Sequence, residues 1–255
     1  MSGTLMFLRL TLRERRRRLI GLAAFGLLFM LAGLAARVLT TGEHGHMEMD
    51  VLFELGGSTL VSALLLLAWL VGRFAIVASL VLMAGVFSDD RAAGYTRLYA
   101  ARPRSIIALY GARYLMLSVI AFAMAAVLMP LFDYALLGEW IGWSVFIMIT
   151  AQVIVFGAVT ALFSVMTRAD GWAALFVGLL ALVWDGLRRI EFFQTSAPFV
   201  RETVSVLLPP QGALMRIESA FATRLPMPWD AFLYVVVYGS LVLIIAGIAA
   251  SRREI

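Results

Sequence analysis

Residues 88–105 read SDDRAAGYTRLYAARPRS. Two adjacent acids, Asp89 and Asp90, precede four arginines, Arg91, Arg97, Arg102 and Arg104, and Gly94 and Pro103 punctuate the run. Before it lies LLLLAWLVGRFAIVASLVLMAGVF (64–87), and after it IIALYGARYLMLSVIAFAMAAVLM (106–129). A charged strip between two such runs is the signature of a turn between membrane spans, because a spanning helix needs about 20 mainly apolar residues. No stretch alternates polar and apolar residues in the manner of a transmembrane barrel.

Working outward, six segments have the length and composition of spans: 19–39, 58–86, 106–129, 141–166, 171–187 and 230–250. The 255-residue chain is 62% hydrophobic and 15% charged. A soluble domain is about 45–50% apolar and about 25% charged, so a bilayer is the natural solvent for this chain. The fold expected is all-α and integral to the membrane, a single domain over 1–255 with six transmembrane helices. The first apolar segment is read as a retained span, since it exceeds the about 7–15 residues of a signal-peptide core.

All 21 basic residues are arginine. Without lysine there is neither a phosphate loop of the G-x-x-x-x-G-K-[ST] type nor a Schiff-base site. Without cysteine there is no disulfide, iron–sulfur cluster or thiol nucleophile. The chain has no G-x-S-x-G or H-E-x-x-H motif and no paired intramembrane carboxylates. DGWAAL at Asp170 resembles the opening of the phospholipid head-group transferase motif, but the arginine and the two later aspartates of that motif are absent. The chain is therefore expected to be no enzyme, and no nucleic-acid partner is expected.

Arginine sets the orientation. With the N-terminus inside, fourteen arginines fall on inner segments (Arg9, Arg13, Arg15–Arg18, Arg91, Arg97, Arg102, Arg104, Arg113, Arg168, Arg252 and Arg253) and six on outer ones. Both termini are then cytoplasmic. Residues 1–18 place Leu5, Leu8 and Leu12 on one helical face and Arg9, Arg13 and Arg16 on another. This pattern predicts an amphipathic helix lying in the interface against anionic headgroups. The outer segment 188–229 is broken by prolines, and QGALMRIESAF within it predicts a short helix on the outer surface.

Three features raise questions of chemistry. Arg73 falls in mid-span, where a charge costs about 2.5–3.5 kcal/mol unless it faces protein or water. It is a candidate for a path or a dimer interface, or is satisfied by helix carbonyls or by a polar neighbour such as Gln152. EHGHMEMD (43–50) gathers His44, His46, Met47 and Met49, weak candidate ligands for copper, in what is otherwise an ordinary solvated outer loop. Gly21, Gly26 and Gly33 are expected to let helices approach closely.

The charged strip itself, from Asp89 to Ala100, lacks proline and predicts a short helix ending before Pro103. Its spacing from Asp90 to Gly94, Pro103, Ser105 and Arg113 resembles the loop between the second and third spans in the membrane subunit of type-2 ATP-binding-cassette exporters. Tyr95 stands where that family often has threonine, and Ile106 where a basic residue often follows the serine. The resemblance in architecture covers the whole chain, whereas the motif covers 89–113 alone. It implies a permease subunit that pairs with a second copy or a similar chain to form the translocation path. It further implies a coupling helix at 88–104, with Asp89, Asp90, Arg91, Gly94, Tyr95, Arg97, Pro103 and Arg104 gripped by a separate ABC ATPase subunit. ATP and Mg would then bind that partner, with no cofactor on this chain. The location implied is the inner (cytoplasmic) membrane of a prokaryote, and a partner at the outer face remains open. The alternatives are a non-pumping scaffold or assembly factor of the same fold, a transporter serving metal-centre maturation, and a secondary transporter, for which no inverted repeat is evident.

Overall fold

The computed structural model describes residues 3–40, 62, 66–94, 106–137, 140, 142–188 and 198–252. Among these, all regular structure is helical: α1 (Gly3–Thr40), α2 (Phe74–Met83), α3 (Ser88–Ala92), α4 (Ile106–Leu137), α5 (Ser144–Met166), α6 (Asp170–Leu187), α7 (Pro198–Leu207), α8 (Gln211–Ala222) and α9 (Trp229–Arg252). Five of the described helices are long and apolar enough to cross a membrane, lying in α1, α4, α5, α6 and α9.

The bundle is built around α5. In its most apolar window 67% of residues are buried, against 22% to 33% for the other four. It packs against α2, α4, α6, α8 and α9. Ile149, Ala151, Val155 and Ala158 of α5 are fully enclosed. The outward faces of α1, α4, α6 and α9 carry exposed Leu, Ile, Val and Phe, as helices do when hydrocarbon rather than water surrounds them.

Several predicted boundaries move, each for a local reason. The interfacial helix at 1–18 is not separate from the first span: α1 runs unbroken for 38 residues. Nothing in RERRRRLIG stops a helix, so the basic segment simply extends the span. At about 1.5 Å per residue α1 is about 57 Å long, well beyond a hydrocarbon core of about 30 Å. The stripe that packs on the bundle is Phe7, Thr11, Arg15 and Leu22, whereas Leu12 of the expected apolar stripe stays exposed. The third span passes through Pro130 and continues to Leu137. An internal proline removes one backbone bond, and burial of the surrounding turns tolerates that loss.

The second predicted span, 58–86, is not one helix over its described part. Residues 66–71 are helical, Gly72 and Arg73 form a turn, and α2 then runs only from Phe74 to Met83. Residues 58–61 and 63–65 lie outside the described residues. The proline-broken segment 188–229 yields α7 and α8, separated by Pro209 and Pro210. No α7 residue is buried. The short helix expected over QGALMRIESAF forms as α8, which packs Leu214, Ile217 and Ala220 against the bundle and leaves Arg216 and Ser219 exposed.

Two of the three predicted close approaches occur. A Cβ at Gly26 would meet Leu128 at 3.0 Å and one at Gly33 would meet Phe132 at 2.8 Å, whereas Gly21 faces open space. Both contacts join α1 to α4. Gly33→Leu is therefore expected to destabilise the chain by about 1–3 kcal/mol through overpacking, with Gly21→Leu near neutral; thermal unfolding in a neutral detergent checks the pair.

Candidate functional site

Two polar assemblies interrupt the apolar bundle. The first lies at its arginine-rich end, where the chain turns from α2 through α3. Met83 ends α2, Ala84 is extended and Gly85 takes a positive φ of 76°. A Cβ at Gly85 would collide with the Asp89 carboxylate, so only glycine fits this corner. Asp170, at the start of α6, closes the corner by accepting from the Gly85 N–H (2.6 Å) and from the Ser88 hydroxyl (3.0 Å). Ser164 Oγ of α5 accepts from the N–H groups of Phe87 (2.8 Å) and Ser88 (3.1 Å). These bonds give partners to first-turn N–H groups that α3 leaves without intrahelical acceptors.

α3 is one turn of five residues and ends where Gly94 adopts a positive φ of 76°. A left-handed residue just past a helix end is the usual glycine stop. The helix expected to reach Ala100 therefore ends at Ala92. Tyr95, Arg97, Pro103 and Arg104 of the predicted coupling set lie outside the described residues.

Of the remaining members of that set, Asp90 and Arg91 face inward, whereas Asp89 and Gly94 are exposed. Asp90 is only 5% exposed and accepts from Arg113 NH1 (2.8 Å) and Tyr110 OH (2.9 Å), both on α4. Arg113 is itself 1% exposed; it also reaches the Val86 carbonyl (3.2 Å) and Glu14 of α1 (3.0 Å), and its guanidinium lies 5.6 Å from the Phe7 ring. Arg91 donates to the Val165 carbonyl of α5 (2.8 Å). Asp89 is the outward member, with 59% of its side chain exposed; it pairs with Arg15 of α1 at 3.3 Å and lies 3.7 Å from Arg18. Arg15 and Arg18 also donate to the Ala84 carbonyl, the last group of the α2 end. Asp90 and Arg91 thus fasten the turn to the bundle. Buried charges are tolerated when paired and hydrogen-bonded; here Asp90 and Arg113 pair, while Arg113 Nε is left without a hydrogen-bond partner.

The second assembly lies at the break in the second apolar segment. Arg73 NH2 pairs with Glu218 Oε2 of α8 at 3.0 Å, and each side chain is 23% exposed. The Arg73 guanidinium stacks on the Trp69 ring, 4.2 Å from its centroid. Gln152, fully buried on α5, donates from Nε2 to the Gly72 carbonyl (3.0 Å) and to Glu218 Oε1 (3.1 Å). Burial pushes the Glu218 carboxyl above its ordinary pKa, against the opposing pull of Arg73 and the Gln152 amide. Arg73 and Gln152 do share one site, but the anion between them is Glu218.

Sequence reasoning did not single out Glu14, Arg15, Tyr110, Ser164 or Glu218 as site residues. One signal for Glu218 was present: it falls on the same helical face as Leu214 and Ile217, where an acid needs a partner. Asp185 is buried and pairs with Arg188 at 2.8 Å. His44, His46, Met47 and Met49 lie outside the described residues, and among the described residues no group of His, Cys, Asp and Glu is placed to hold a metal. Both assemblies stand on their own chemistry, for no protein-family model, no curated protein and no solved structure matches this chain.

Proposed function

We propose that this chain is the membrane-spanning permease subunit of a type-2 ATP-binding-cassette exporter. In this reading it crosses the inner membrane of a prokaryote six times with both termini in the cytoplasm. It pairs with a second copy or a similar chain, and the turn after α2 couples it to a separate ATPase that binds ATP and Mg. The observation that carries the reading is the Asp90–Arg113 pair at 2.8 Å. These are the first and last positions of the spacing shared with that family, and they hold each other across the base of the loop.

The same contacts supply a route for force. Residues 85–91 are tied to α1 through Asp89 and Arg15, to α4 through Asp90 and Arg113, to α5 through Arg91 and Ser164, and to α6 through Asp170. An ATPase gripping the loop beyond Gly94 would pull on four helices together. ATP then drives transport by favouring one of two arrangements of these helices, as any ligand must that binds two states unequally.

Replacement of residues 95–104 by a Gly/Ser linker of equal length leaves the inward-facing contacts of 85–91 intact. The expected outcome is loss of the co-purifying ATPase with unchanged thermal unfolding. Retention of a stoichiometric, stimulated ATPase by this variant would sink the coupling assignment. An ATPase that binds the unaltered chain but drives no transport would favour the scaffold reading instead.

A further inference from the structure

We propose that the break at Gly72–Arg73 is a binding site for the head of a phosphate-monoester amphiphile, with Glu218 as its internal competitor. The argument begins with the Gln152 amide. Its nitrogen faces the Gly72 carbonyl and Glu218 Oε1, both of which are acceptors, so the amide orientation is fixed by chemistry. That leaves Gln152 Oε1 buried and without a hydrogen-bond donor. A buried polar atom with no partner is rare in folded proteins and calls for an explanation.

Glu218 completes only half of the site. Its ionised carboxylate accepts from Arg73 and from Gln152 Nε2 but has no proton to give Gln152 Oε1. A monoprotonated phosphate ester has both parts. Its bare oxygens accept from Arg73 and from Gln152 Nε2, and its P–OH donates to Gln152 Oε1. A primary amide and a P(=O)OH group are complementary in this way, each giving one proton and taking one. Arg73 is held for planar anion recognition by its stack on Trp69. The start of α2 follows directly, and a helix N-terminus favours a negative ligand. Leu66 and Trp69, in the turns just before the break, are exposed and give an apolar tail a surface to lie on.

Entry requires the Glu218 side chain to leave; it is 23% exposed, so the displaced carboxylate can turn toward solvent by a change of rotamer. The proposal needs neither ATP nor an ATPase, so its failure would leave the exporter reading untouched.

The test uses the full chain in a neutral maltoside detergent at about pH 6, where roughly half of a phosphate monoester carries its second proton. The probes are dodecyl phosphate, dodecyl sulfate and inorganic phosphate, with bound ligand read by native mass spectrometry. Dodecyl phosphate is expected to bind about tenfold more tightly than dodecyl sulfate, which matches it in chain and charge but has no acidic proton. Glu218→Gln is expected to tighten dodecyl phosphate binding about tenfold by removing the competing anion, and Arg73→Gln to weaken it by at least about that factor. Gln152→Leu should abolish the preference for phosphate over sulfate. Equal affinity of the unaltered chain for the two amphiphiles would overturn the proposal, as would unchanged affinity in Glu218→Gln. The latter substitution is isosteric, and a gain in binding is not a product of misfolding. Inorganic phosphate binding as tightly as its dodecyl ester would overturn the amphiphile assignment.

Discussion

Arg113→Ala is expected to lower the stability of the chain by about 3–5 kcal/mol, the usual cost of removing one partner from a buried ion pair. Arg113 is enclosed, and Asp90 would be left with an uncompensated charge at 5% exposure. The loss goes beyond one pair, since the same guanidinium also binds Glu14 and the Val86 carbonyl. Thermal unfolding in a neutral detergent, followed by circular dichroism, measures the effect. The decisive control is the double replacement Asp90→Asn with Arg113→Met. A buried pair exchanged for groups without charge is often close to neutral, so the double variant is expected to recover most of the loss. If it were as unstable as Arg113→Ala alone, packing at Arg113 rather than charge pairing would account for the result. On the proposed exporter reading, coupling to the ATPase should not recover with stability, because the Asp90–Arg113 tie would still be gone.

Asp170→Ala carries the second large expectation, a loss of about 3 kcal/mol. Two donors, the Gly85 N–H and the Ser88 hydroxyl, would lose their acceptor in a buried corner. An orphaned buried donor costs about 1–3 kcal/mol. Asp170 also sits in the first turn of α6, where a negative charge is favourable. Asp170→Asn keeps one acceptor oxygen and should cost only about 1 kcal/mol. The readout that separates this corner from global loosening is limited proteolysis. Asp170→Ala should expose the 85–94 turn to cleavage at a protease level that leaves α5 and α9 intact. Uniform cleavage along the chain would contradict the local role of Asp170.

Much of this architecture follows from local composition. The runs that became α5, α6 and α9 are apolar enough to be read one at a time, because burial in hydrocarbon requires only a long enough greasy helix with its own backbone bonds satisfied. α5 begins three residues inside its expected start, α6 starts one residue early, and α9 extends slightly at both ends. Gly94 as a helix stop was within reach of the same reasoning, since a glycine inside an amphiphilic strip is a natural C-terminal signal. The expectation of a helix to Ala100 weighed the absence of proline above the presence of glycine.

The polar contacts were not legible in this way. Arg15 stands in a run of four arginines, and nothing local separates it from Arg16 and Arg17; only the docking of α1 on the α2–α3 turn buries it and leaves them exposed. Asp89 and Asp90 are neighbours of identical chemistry. The single helical turn of α3 aims Asp90 into the bundle at Arg113 and leaves Asp89 at the surface. Arg73 and Glu218 are 145 residues apart. Their pairing depends on α8 packing its Leu214 and Ile217 face on the bundle, which the prolines before it allow but do not require.

The sequence by itself determined the class of this protein: an arginine-only, cysteine-free, helical membrane chain with its charged turn between two apolar runs. Those conclusions rest on quantities summed over a window, and solvent acts on each window independently. Tertiary structure alone decided which charges are buried, where the second apolar segment breaks, and that Glu218 lies between Arg73 and Gln152. Such choices depend on pairwise partners brought together from distant helices. A charge inside the bundle is stable only beside its complement, and no local pattern names that complement in advance.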